Sequence, residues 1–403
     1  MISTTEDASR QTPVANGPAR PITLLLLALL FVGASCDALA GPREQARRMH
    51  DRLAGVPPSE AVLDAMEQEL LLGDGIAAAE MAMDNGAFYS VTLKNFAAPW
   101  TNREQSAFVP LNDYIATVIG MVRDDVPFDL VLSADILYVG ADDLPGVPPY
   151  SMTSNAHYEA LEDTDADLSS PDVLVATTQS AMTDVPFAGI AGVMSTRAAA
   201  EAFFVAGTNR AMLRFTLMNH MCRDLEQFFD TTRPADRIRQ DVSRSPGGDS
   251  RLFLNNCVGC HSGMDPLAQA FAFHQYDEEA GRIRYTAGQV QPKYFNNEDT
   301  FPFGFVTPDD SWNNYWREGR NAALGWNGMD GSGTGAASMG AELAASNAFA
   351  QCQVEKVFRV VCLRAPADAG DRAEVDAIVG SFVAGGYRLK QAFAEAALYC
   401  KGE

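Results

Sequence analysis

Apolar residues recur at three- and four-residue intervals from Arg43 to Leu53, Ser59 to Leu72, Ile76 to Met83 and Leu111 to Val122. That is the period of a helix with one buried face. Pro57, Pro58, Gly73 and Gly75 punctuate the runs where a helix must stop. The period is lost between Gly140 and Asp172, where Pro145, Pro148, Pro149 and many acidic residues predict a long polar excursion separating subdomains. It returns over a block from Arg197 to Phe229, then in a helix from about Ser250, and finally over Ala341 to Cys362, Arg372 to Ala384 and Leu389 to Cys400. Pro234 and the run Ser245-Pro246-Gly247-Gly248-Asp249 read as a hinge and a helix start. Residues 281–340 are rich in aromatic, Gly and Asn residues, and the glycines from Gly325 to Gly340 predict a mobile loop. No fixed-period repeat is present, so the expected fold is mainly α and not a solenoid.

The first forty residues carry a different pattern. Arg10 and Arg20 precede an apolar run from Ile22 to Val32 that is too short to span a bilayer, which predicts a targeting segment. Two processing points compete: cleavage after Ala40, or lipid attachment at Cys36, which would tether the chain to a membrane. Gly33 fits poorly where a lipobox has Leu, and this favours Ala40. Either way the chain is expected outside the cytoplasm, in the periplasm or cell envelope.

Charge and cysteines extend that picture. The formal net charge is −22 over 403 residues, which argues against nucleic acid as the main partner, because phosphate binding needs a basic face. An acidic surface serves solubility, or docking onto a basic redox partner. Cys36 lies in the leader, and Cys257 and Cys260 share one motif. Cys222, Cys352, Cys362 and Cys400 remain as an even set that two disulfides would satisfy, in any of three pairings. The alternating Asp163, Asp165 and Asp167 resemble the start of a calcium loop, but Leu168 and Leu174 stand where its turn glycine and closing Glu belong.

One motif carries chemistry. Cys257-Val258-Gly259-Cys260-His261 has the C-x-x-C-H spacing used for covalent haem attachment. On a helix, residues i, i+3 and i+4 face one way, so two thiols can reach the two vinyl groups while the imidazole reaches the iron. The plainer alternatives are a local disulfide or a zinc site. Zinc would need a fourth ligand, and no second paired cluster exists.

The longer run Asn256-Cys257-Val258-Gly259-Cys260-His261-Ser262-Gly263-Met264-Asp265-Pro266-Leu267 resembles the CxxCH-x-x-MDPL signature of the planctomycete-type cytochrome-like exported domains of unknown function. The resemblance extends upstream through Ala206-Gly207-Thr208-Asn209-Arg210. Downstream it takes in Ala350-Gln351-Cys352-Gln353-Val354 and Val361-Cys362-Leu363-Arg364. It implies a haem-binding exported protein and supplies no substrate. The expected organisation is a signal over 1–40, a helical N-terminal region over 41–240 and a cytochrome c-like haem domain over 241–403.

In this reading His261 is the proximal iron ligand of one covalently attached haem c. Met339, and second to it Met329, lie at a separation suited to a distal methionine; Met264 is too close to His261 to reach across. His274 and His220 are better read as packed structural histidines. The aromatic residues Tyr294, Phe295, Phe301, Phe303, Phe305, Trp312, Tyr315, Trp316 and Trp326 serve equally well as a haem wall or as ordinary core. Arg282, Arg284, Lys293 and Arg317 are candidates for the propionates. No catalytic side chain stands out. The expected function is electron transfer by a monohaem c-type cytochrome, free or as a subunit of an envelope oxidoreductase, with a redox protein as partner. The alternative is a haem enzyme or sensor with an open axial site acting on peroxide or another small ligand.

Overall fold

The computed structural model describes residues 40–402 apart from 205, 206 and 329, so the segment expected as a leader, with Cys36, and the Met329 candidate lie outside the described residues. Three helices open the chain: α1 (Pro42–Ala54), α2 (Glu60–Leu72) and α3 (Gly75–Met83). Their ends are local chemistry. Ser59 accepts from the Val62 amide at 3.3 Å to start α2, and Asp74 accepts from Ala77 at 3.0 Å to start α3. Gly73 closes α2 with a φ of 84°, a left-handed turn that costs glycine nothing. Helix α4 (Asp113–Arg123) follows, apolar enough to be buried along its whole length.

The polar excursion is fastened at both ends. Strands β1 (Leu137–Gly140) and β2 (Leu174–Thr177) pair antiparallel across it, with Leu137 opposite Thr177, and it contains helix α5 (Ala156–Asp163). The block after it divides into α6 (Arg197–Phe203) and α7 (Arg210–Met221). Next come the motif helix α8 (Val258–Ala268), the hairpin β3 (His274–Asp277) and β4 (Arg282–Tyr285), and the paired strands β5 (Ser311–Asn313) and β6 (Ser332–Thr334). The stretch expected as a mobile loop is therefore pinned in part. Its last glycines, Gly335 and Gly340, belong to α9 (Gly335–Ala344).

The chain ends in α10 (Asn347–Cys362), α11 (Ala369–Ala384) and α12 (Leu389–Tyr399). The periodicity from Ala341 to Cys362 predicts one helix; the structure has two, because Ser346 leaves the helical conformation and accepts from the Phe349 amide at 3.1 Å to cap α10. The fold is mainly helical, as expected.

Residues Gly41–Glu403 form one compact unit. α12 packs back on α1 and α3 as well as on α10 and α11. Three α1 side chains hold the end of the chain: Gln45 donates to Gly402 O at 3.0 Å, Arg48 to Lys401 O at 2.8 Å and Arg52 to Cys400 O at 2.6 Å. Of the three cysteine pairings, the structure selects Cys222–Cys352 and Cys362–Cys400, with Cα separations of 5.3 and 5.5 Å. The first ties α7 to α10, and the second ties α10 to the end of α12. No helix among the described residues is long and apolar enough to cross a membrane.

Candidate functional site

The chain enters the motif through a π-helical turn, Phe253–Cys257, and then continues as α8. One face of α8 is locked to the body. A Cβ on Gly259 would lie 2.6 Å from the Phe229 ring, and one on Gly263 would lie 2.8 Å from Trp316 Cδ1 and nearer still to its Nε1 and Cε2. Only hydrogen at these two positions lets the helix lie so close. Trp316 is fully buried and stacks on Phe228 with ring centroids 4.3 Å apart, so the surface that receives Gly263 is rigid.

By helical geometry, Cys257, Cys260 and His261 lie on the opposite face. All three are partly exposed, and the two thiols are free while the other four described cysteines are bridged. Cys257 packs beside Ile238, Val242, Phe253 and Val258. Cys260 Sγ donates to Leu225 O at 3.6 Å, and burial, with Glu226 nearby, pushes its thiol up to about 11. Leu252 and Leu254, on the approach to the motif, are 45% and 56% exposed and give that side an apolar rim.

His261 is held from behind. Its Nδ1 lies 3.1 Å from Asp265 Oδ1, one helical turn on. Asp265 is buried and receives a two-pronged contact from Arg210, Nε to Oδ1 at 2.7 Å and Nη2 to Oδ2 at 2.9 Å, and the Arg239 amide at 3.2 Å. Burial alone would raise the Asp265 carboxyl, but Arg210, Arg239 and His261 hold it well below the usual carboxylate range. Arg210 reaches Asp241 as well, Nη1 to Oδ2 at 2.6 Å and Nη2 to Oδ1 at 2.9 Å. Burial opposes its charge, and the two carboxylates keep it protonated. An ionised Asp265 can only accept, so Nδ1 is the donor in this contact and Nε2 is the ring nitrogen turned away from it.

The structure thus unites Cys257, Cys260 and His261 and adds Asp265, Arg210, Asp241 and Arg239, which the sequence reading did not single out as a site. Asp265 has a local signal, four residues after His261 on one helix. Arg210 has none, being 55 residues from Asp265 in the chain. The residues before Arg210 are fastened too: Asn209 Nδ2 donates to Phe271 O at 2.7 Å and His274 O at 3.0 Å, and Thr208 Oγ1 accepts from Arg239 at 2.8 Å.

The other expected residues are placed elsewhere. Met339 has no exposed surface and packs in the main core, on a helix that contacts residues 128–132. His220 is buried between Trp100, Tyr114 and Phe349, its Nε2 at 2.7 Å from Tyr114 Oη. His274 Nε2 hydrogen-bonds Gly189 O at 2.8 Å. Arg282 pairs with Asp184, Arg284 with Asp277 and Arg317 with Glu342, while Lys293 donates to Phe204 O. All four propionate candidates are therefore engaged with protein partners. The aromatic set is dispersed: Trp312 and Trp316 are core, whereas Phe303 is 90% exposed. Asp167 caps its own turn by accepting from the Ser169 amide, and among the described residues no three His, Cys, Asp or Glu side chains are grouped to hold a metal ion.

No family model, no curated protein and no solved structure matches this chain.

Proposed function

We propose that the protein is an exported monohaem c-type cytochrome, in which Cys257 and Cys260 would anchor the haem and His261 Nε2 would hold its iron, with transfer of single electrons to and from a redox partner as its function. The observation that carries the reading is the α8 face itself: two unpaired thiols at i and i+3, an imidazole at i+4 whose other nitrogen is already bonded, and an apolar approach. The donor set suits haem c. The bound group supplies a one-electron couple, Fe(III) to Fe(II), whose electron comes from an external one-electron donor. The protein's share is to anchor the ring, orient His261 and keep its proton on Nδ1. Two disulfides accord with folding in an oxidising compartment. The acidic surface suits a basic partner.

The test is expression in a host with c-type haem attachment, followed by haem staining of the denatured chain. Wild type should retain haem, and Cys257→Ala with Cys260→Ala should not. A wild-type chain without covalent haem, or a double variant that keeps it, overturns the proposal. Met339→Ala then asks whether the core methionine moves to the iron: loss of a ligand changes the visible spectrum, and loss of a packing group leaves it unchanged.

A further inference from the structure

We infer that Asp265 and Arg210 form an antagonistic pair that sets the redox potential of the site through His261, with Asp265 lowering it and Arg210 moderating that effect. The inference rests on the haem reading above and goes beyond it, since attachment requires only the two thiols and the imidazole.

Asp265 has two distinct neighbours on its two sides. Towards the motif, Oδ1 meets His261 Nδ1 at 3.1 Å. Away from it, Arg210 grips both oxygens at 2.7 and 2.9 Å. A carboxylate accepting the Nδ1 proton pushes electron density into the imidazole and stabilises the more positive ferric state over the ferrous one. A guanidinium on the same carboxylate draws density the other way. Arg210 is itself shared with Asp241 at 2.6 Å, so only part of its charge bears on Asp265. The assembly is rigid: the carboxylate has no exposed surface, and Arg210 is the first residue of α7, which packs against α8. These are positioning residues, acting on the iron only through His261.

A purely structural salt bridge would behave differently. Removing either partner would loosen the same contact and leave the potential of the haem-loaded protein where it was. Antagonism predicts opposite directions. Covalent haem is first verified on the denatured chain, so a failure of the haem reading is recognised before any potential is measured. Potentiometric titration is then followed in the visible spectrum. Asp265→Asn should favour the ferrous state about tenfold against a fixed one-electron mediator, about 59 mV upward. Arg210→Gln removes the charge but retains a donor, and the Arg239 guanidinium, 3.7 Å away, remains to hold Asp265 ionised. This variant should shift the equilibrium the opposite way. Shifts of the same sign, or shifts below about twofold in both haem-loaded variants, overturn the inference. If Asp265→Asn does not fold, the sign of the Arg210→Gln shift decides alone: downward supports the pairing, and upward or absent refutes it.

Discussion

Gly263→Ala is the substitution that most directly tests how the motif is presented. An alanine in a helix interior is ordinarily worth about 1 kcal/mol over glycine. At residue 263 the added Cβ would lie 2.8 Å from Trp316 Cδ1 and closer to two other indole atoms. The ring cannot retreat, because it is fully buried and stacked on Phe228 at 4.3 Å. Overpacking of this kind costs about 1–3 kcal/mol, and here the opposing ring is fixed, so the upper end applies. The net expectation is a loss of about 2 kcal/mol. Gly380 in α11 provides the control, since it is exposed and a Cβ there would meet nothing within 4 Å. Gly380→Ala should therefore stabilise by about 0.5–1 kcal/mol. Urea unfolding followed by tryptophan fluorescence measures both. One substitution should give opposite signs at two helical sites, separated by about 3 kcal/mol. If Gly263→Ala is as stable as Gly380→Ala, α8 is not clamped on Trp316 and the presentation of its Cys–His face needs another explanation.

Other consequences follow from single contacts. Cys362→Ser with Cys400→Ser opens a bridge spanning 38 residues; on loop-closure entropy this should cost about 4 kcal/mol, seen as a lower urea midpoint that added reductant no longer shifts by this bridge's share. His274 is pushed down to about 4, chiefly by burial, from an ordinary 6.5. The folded chain keeps it neutral while the unfolded chain takes up a proton, so its share of stability is intact above pH 6.5. About 3 kcal/mol of that share drains away as pH falls towards 4. His274→Gln should flatten this part of the pH dependence, and an unchanged slope between pH 7 and 5 would contradict the assignment. Asp113 starts α4 and also caps α6, accepting from the Arg197 amide at 2.6 Å and the Ala198 amide at 3.1 Å. Asp113→Ala leaves those buried donors unpaired and should cost about 3 kcal/mol, with faster amide exchange at residues 197 and 198 as its local signature.

Much of this architecture is written in local sequence. Ser59, Gly73, Ile76 and Leu389 mark helix ends within a residue or so of where they fall, because caps and stops are decided by the backbone groups of one turn. The Cys257–Cys260–His261 face is equally local, since three residues on consecutive turns need only a helix to align them. Periodicity misled where the Ser346 cap broke the run from Ala341 to Cys362, and glycine content misled where packing on residues 128–132 held Gly335 to Gly340 in a helix.

What lay beyond the sequence is everything set by partners distant in the chain. Nothing near Cys222 says that it meets Cys352, and nothing near Arg210 says that it closes on Asp265. Nor does anything near Gly263 say that Trp316 fills the space its missing side chain leaves. Spacing determines which groups one helix can present together. The electrostatic surroundings of His261 are instead a sum over α7, α8 and the Arg239–Asp241 segment, and only the packing of those pieces into one unit brings their charges within hydrogen-bonding reach.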